Sequence, residues 1–230
     1  MKDFSILMTR LGVSFKDEDL LKQALVHRSY LNEHPDFHLG HNERLEFLGD
    51  AVLELVVTEY LYKAFPDKPE GELTNWRAAL VNYVACAQVA EELSIEDYLF
   101  LSKGETKDVK SKARQVILAN ALESVIGAVY LENGYDAARG FIEKHVLIRL
   151  PFILEHKLYM DPKSRFQEKA QEISGITPSY RVMEEVGPDH AKTFTVGIFL
   201  GHELVATGKG MSKQEAEMEA ALKGVEVKKW

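Results

Sequence analysis

Three carboxylates, Glu43, Glu46 and Asp50, stand three and four positions apart in one short stretch of this chain. A helix turns by roughly 100° per residue, so all three project from one face. Glu54 falls on the same stripe and reads as a structural or surface contact. The rest of the segment, including Leu45, Phe47, Val52, Leu53 and Val56, is apolar on nearly every other side. That pattern marks a helix enclosed by protein, with its acidic stripe turned toward a cleft. Crowded carboxylates in such a place either take up protons or gather cations.

A second segment, residues 115–131, repeats the pattern. Past Gln115, long apolar runs surround only three polar positions, Asn120, Glu123 and Ser124. Asn120 and Glu123 are three apart and face the same way. Two apolar helices with oxygen-bearing side chains suggest a metal site inside a helical bundle. Oxygen ligands select a hard ion, so Mg²⁺ is expected, with Mn²⁺ as a substitute, rather than zinc. A second reading stays open at this point, in which Arg44 or Arg77 neutralises buried acids.

The elements that must position these groups can be read from periodicity. From residue 17 to about residue 150 the spacing is helical almost throughout, with loops expected at 32–40, 66–71 and 102–111 and at Gly134. Near Met160 the pattern changes. Asp161-Pro162 is a helix start, Phe166, Ala170 and Ile173 mark an apolar face, and Gly175 ends the helix. Alternating segments follow at 179–183, 193–200 and 204–207, and a last helix opens at Ser212 with Glu215 as its capping-box partner. The expected organisation is an all-α domain over residues 1–155, a linker at 156–160, and a small α-β-β-β-α domain over 161–230.

The 230 residues, 46% of them hydrophobic, are enough for two cores. The first residues do not read as a secretory signal, and no later stretch reads as long and apolar enough to span a bilayer, so no membrane is expected. Cys86 is the only cysteine, which rules out an intrachain disulfide and fits a reducing compartment; the cytoplasm is expected. The net charge of −8 argues against a polyanionic partner unless charge is read locally. Of 28 basic and 36 acidic residues, 10 and 11 lie in 160–230; the first 159 therefore carry 18 and 25, a net of −7. The acidic part needs cations before a phosphate backbone could approach it.

Residues 42–53, Asn-Glu-Arg-Leu-Glu-Phe-Leu-Gly-Asp-Ala-Val-Leu, closely resemble the signature of the ribonuclease III family. Residues 24–30, 70–73 and 118–124 resemble further family segments in the right order. The resemblance implies an all-α endonuclease domain followed by a double-stranded-RNA-binding domain. It also implies that Glu46 and Glu123 bind the catalytic metal, that Asp50 and Glu123 are essential to chemistry, and that Glu43 and Glu70 support the site or contact RNA. Phe47 would insert into the partner subunit of a homodimer. The implied activity is metal-dependent cleavage of double-stranded RNA, as in processing of rRNA and mRNA precursors. The ends would be a 5′-phosphate and a 3′-hydroxyl with a short 3′ overhang, and no small-molecule cofactor is needed. Where the family usually carries Asp, this chain has Asn120, whose carbonyl can still ligate Mg²⁺ though more weakly. A non-catalytic homologue that binds duplex RNA without cutting is the alternative.

Residues 187–194 and 208–217 resemble motifs of the double-stranded-RNA-binding domain. In the second motif a glycine-flanked loop is expected to deliver Lys209 and Lys213 to a helix N-terminus, where backbone N–H groups favour phosphate. The resemblance further places Gln167 and Glu168 in one minor groove of the RNA and the His190 loop in the next. Gln214 stands where a second lysine is usual.

Overall fold

The computed structural model describes residues 2–107, 111–188 and 192–230. The chain divides into two compact units, Met1–Tyr159 and Met160–Trp230. Tyr159 belongs to the first unit, its ring meeting Trp76 edge-on at 5.9 Å.

The first unit is helical. Its order is α1 (Phe4–Leu11), α2 (Glu18–Ala24), α3 (Arg28–Glu33), α4 (Glu43–Ala64), α5 (Glu70–Val81), α6 (Tyr83–Glu92), α7 (Lys103–Lys107), α8 (Lys112–His145) and α9 (Leu150–Glu155). α1 lies ahead of the stretch that periodicity marks as helical. It is capped by Asp3, whose side chain accepts from the Ser5 amide, and it buries Phe4, Leu7 and Leu11 on one face. α7 occupies part of the expected 102–111 loop.

The centre of the unit is α8, packed chiefly against α4 and α6. Its first turns start at Ser111, which caps the Arg114 amide, and bury Ile117, Leu118, Leu122, Val125, Ile126 and Val129. A helix apolar on all sides is stable only when neighbours cover it. Contrary to the expectation that no stretch is long and apolar enough to cross a membrane, residues 112–155 meet that description by length and composition. The cause is this central placement: 61% of the apolar window is buried inside the unit. Gly134, with φ 81° and ψ −178°, breaks the helix where the sequence placed its punctuation, in a conformation that a side chain would strain.

The second unit runs α10 (Pro162–Ser174), β1 (Ser179–Val186), β2 (Thr193–Leu200), β3 (Glu203–Gly210) and α11 (Lys213–Lys228). The strands form an antiparallel meander in the order β1-β2-β3. Val196, Ile198 and Leu200 alternate inward along β2, and a core forms where Ile198 and Leu200 meet Phe166, Ala170, Ala220, Ala221 and Val225 of the two helices. Asp161 caps α10 and Gly175 ends it in the left-handed region. Ile173, expected on the buried face, is 61% exposed. The buried face of α10, which packs on α11, passes through Phe166 and Ala170, and Ile173 lies off it.

Candidate active site

The acidic residues are brought together by a close helix crossing. A Cβ built on Gly49 of α4 would lie 1.7 Å from the carbonyl oxygen of Glu123, and one on Gly127 of α8 would lie 2.3 Å from that of Leu45. Only glycine lets the two backbones touch in this way. Glu46 and Asp50 flank Gly49 in sequence, and Glu123 stands one turn before Gly127. The acids of both helices are therefore gathered at one crossing.

The start of α4 is tied down on two sides. Asn42, only 4% exposed, donates from its side chain to the Ala24 carbonyl at 3.2 Å and from its backbone to Val26 at 2.9 Å. Ser124 of α8 is fully buried and donates to the carbonyl of Asn120 at 2.7 Å, with the Asn42 carbonyl 3.4 Å away. Sequence reading gave neither residue a role. The signal available was their polarity inside otherwise apolar segments.

The site is short of positive charge. Among the described residues no cation pairs with Glu46, Asp50 or Glu123 within 4.0 Å. Burial, followed by the charges of Asp50 and Glu46, pushes the Glu123 carboxyl up to about 8. Glu46 is also raised, first by burial and then by Glu43 and Asp50, while the side chain of Asn120 beside it favours its charged form. Behind the acids, the buried Cys86 thiol is pushed up to about 12 by burial and by the charges of Glu123 and Asp50. At neutral pH it is an unreactive thiol.

The alternative of arginine-neutralised acids does not hold. Arg77 is engaged elsewhere, with Glu54 at 3.0 Å and the Thr58 hydroxyl at 3.0 Å, so Glu54 is the surface contact expected of it. Arg44 is exposed, and no described ion pair involves it.

Glu43 is exposed at the rim, with Arg28 and His41 each 3.7 Å from its carboxylate. Glu70 is not brought to the crossing within one chain. It opens α5, accepts a hydrogen bond from Thr74 at 2.7 Å, lines a separate groove of about 650 Å³ with Tyr62, Lys63 and Arg77, and is not among the charges acting on Glu46 or Glu123.

Donor chemistry at the crossing fits a divalent ion. All the oxygens are hard, and an uncompensated, largely buried acid such as Glu123 is what a bound cation relieves. Among the described residues no three His, Cys, Asp or Glu side chains are gathered tightly enough to hold an ion. A ligand set here would therefore need the carboxamide of Asn120 or a closer approach of the acidic side chains.

α4 is not enclosed on every side, as the apolar pattern had suggested. Phe47 is 81% exposed, and with Leu55 and Tyr62, also well exposed, it forms an apolar stripe on the surface. Beside Phe47 runs a groove of about 600 Å³ lined by Leu20, Leu45, Leu48 and Leu131.

In the second unit, Gln167 and Glu168 are exposed on α10. Lys209 sits near the end of β3, paired with Thr195, rather than in a loop. The flanking glycines have a packing role. A Cβ on Gly208 would lie 2.2 Å from the Ala220 nitrogen, and one on Gly210 would lie 2.6 Å from that of Ala216, so α11 rests directly on the strand. Lys213 opens α11. Ser212 accepts from the Glu215 amide at 3.1 Å and Glu215 accepts from the Met211 amide at 2.9 Å, which forms a reciprocal cap. His190 lies outside the described residues.

Residues 17–150 match the family described as Ribonuclease-III-like, and residues 162–228 match the double-stranded RNA binding motif. A Ribonuclease 3 from Nitratiruptor sp. is 43% identical over 100% of this chain and 98% of its own length. That of Carboxydothermus hydrogenoformans is 44% identical over 95% of this chain and 93% of its own. The solved nuclease domain of Campylobacter jejuni ribonuclease III, described for flexibility in a region involved in dimer formation, is 41% identical with a TM-score of 0.56. It covers 62% of this chain and 98% of its own.

Proposed function

Because the chain belongs to the ribonuclease III family of endoribonucleases, we propose that it hydrolyses double-stranded RNA at the α4–α8 crossing with Mg²⁺, or Mn²⁺ in its place. The observation that carries the reading is a set of acids from two distant segments meeting without a basic partner. Glu46, Asn120 and Glu123 would hold the ion, with Asp50 beside them. A bound divalent ion supplies an activated water and counters the charge that grows on the phosphoryl group. Asn120 steadies Glu46 in its charged, ligating form. Burial favours the protonated form of Glu123 while no ion is bound, a bound cation would stabilise its charged, ligating form, and Asp50 stands beside it exposed to solvent. The products are a 5′-phosphate and a 3′-hydroxyl with a short 3′ overhang, and the substrates are rRNA and mRNA precursors. The cytoplasm is the proposed compartment, in keeping with a single buried thiol.

The active form is a homodimer. The exposed stripe led by Phe47 supports this, since a row of large apolar side chains at a protein surface marks a contact site. Each subunit would cut one strand, and Glu70, remote from the crossing within one chain, would act on RNA or on the partner's site. Gln167 and Glu168, Lys209 and Lys213, and the His190 loop would grip successive grooves of the A-form duplex.

Incubation of duplex RNA with the protein tests the reading. Cleavage is expected with Mg²⁺ or Mn²⁺ and none with EDTA. Mn²⁺ should also raise the melting temperature of the wild type at pH 8, because it binds only the folded state. The non-catalytic alternative rests on Asn120. It would be favoured by duplex binding without cutting at any Mg²⁺ or Mn²⁺ concentration, together with recovery of cutting by Asn120→Asp. For the nuclease we expect Asn120→Asp to tighten Mn²⁺ binding by about tenfold, measured calorimetrically, since it adds a formal charge to the ligand set.

A further inference from the structure

Duplex affinity in the second unit has to be reached with little positive charge, 10 basic against 11 acidic residues over 160–230. Where the cations stand therefore matters more than how many there are. Glu185 lies near the end of β1, directly across from Phe194 of β2. Lys213, the first residue of α11, extends over the Phe194 ring, 5.7 Å from its centroid. That approach brings its ammonium 3.5 Å from one carboxylate oxygen of Glu185, while Lys192 lies 3.9 Å from the other. One acid thus stands between two lysines beside the reciprocal cap at the start of α11.

We propose that Glu185 is an affinity-setting residue, an internal stand-in for phosphate that occupies Lys192 and Lys213 until duplex RNA displaces it. The proposal rests on the reading of this unit as a duplex-RNA grip and goes beyond it by assigning an opposing role to a residue outside the expected contacts. A carboxylate and a phosphate oxygen make the same kind of charge-assisted bond to an ammonium group. Both pairs are exposed, so each is weak enough to exchange for a phosphate rather than block it. The exchange also alters the salt response. Each lysine that reaches a phosphate releases cations condensed on the RNA, but the displaced Glu185 carboxylate takes up cation from solution and so offsets part of that release. Wild-type binding should therefore weaken less steeply with salt than the number of its phosphate contacts implies, each contact ordinarily contributing about one unit of slope.

The test is fluorescence anisotropy of the full chain with a duplex RNA of about 16 base pairs, over a salt series, with EDTA present to keep the duplex intact. Glu185→Gln should bind about three- to tenfold more tightly than wild type at low salt. Its slope of log K against log salt should steepen by up to about one unit, since a single carboxylate charge is removed. In a background with Lys192→Ala and Lys213→Ala the gain from Glu185→Gln should vanish. Equal affinity and slope for Glu185→Gln and wild type would overturn the proposal. So would a gain that persists undiminished without the two lysines, because general charge would then explain it. Failure of the wild type to bind duplex RNA at all would overturn the RNA-binding reading itself, and this one with it.

Discussion

Glu123→Gln is expected to abolish cleavage of duplex RNA, lowering kcat/KM on the order of 10³-fold, with the Kd for the duplex within about threefold of wild type. The substitution keeps the shape of the side chain and removes its charge. On the proposed reading the charge is needed for the ion, whereas the RNA contacts would be spread over the second unit and the rim. The same variant should have the opposite effect on metal-free stability. The Glu123 carboxyl is raised from 4.5 to about 8 in the folded protein, so the fold binds its proton more tightly than the unfolded chain does. The associated stability is fully present below pH 4.5 and is lost as pH rises toward 8. Because the group is partly exposed, solvent screening limits the loss to about 2 kcal/mol. With EDTA at pH 8, Glu123→Gln should therefore melt about 5 °C above wild type, and the gap should close by pH 4. Loss of both cutting and binding, or a variant less stable than wild type at pH 8, would show that Glu123 holds the fold together instead of serving the site.

Gly49→Ala should have the largest structural effect. Its methyl group would sit 1.7 Å from the backbone oxygen of Glu123, which cannot rotate away. The helices must separate, and displacement of backbone in a packed core costs about 3 to 5 kcal/mol. A fall in melting temperature of about 10 °C is expected for the first unit, together with loss of cleavage because the two acid-bearing helices move apart. Gly140 provides the control. It is helical, and a Cβ there meets nothing within 4 Å, so Gly140→Ala should be neutral or stabilising by about 0.5 to 1 kcal/mol. Wild-type stability for Gly49→Ala by thermal denaturation would refute the crossing.

Much of this was legible in sequence because local rules and the fold agree. Glu43, Glu46, Asp50 and Glu123 stand out as acids in apolar helices. The caps at Asp161 and Ser212, the stop at Gly175 and the alternation along residues 193–200 each follow from chemistry within a few positions. What stayed hidden depends on partners distant in the chain. Hydrophobicity at Phe47 and Leu55 predicts burial without saying against what, and within one chain both are exposed. Ile173 fails for the same reason, since a helical repeat defines a face only approximately. Gly49 and Gly127 carry no local signal of a backbone contact that forms only once α4 and α8 meet. The glycines beside Lys209 suggested a loop, whereas the strand continues through them and α11 occupies the space that side chains would have filled.

Contact between main chains at the α4–α8 crossing leaves no side chain there to compress or trim. The spacing between the acid-bearing segments of the two helices is consequently a property of peptide geometry, insensitive to drift elsewhere in the hydrophobic interior. If the crossing holds the proposed ion, adjustment of ion preference would have to come from side chains around it, and position 120, where an amide stands near the acids, is where such a change would act.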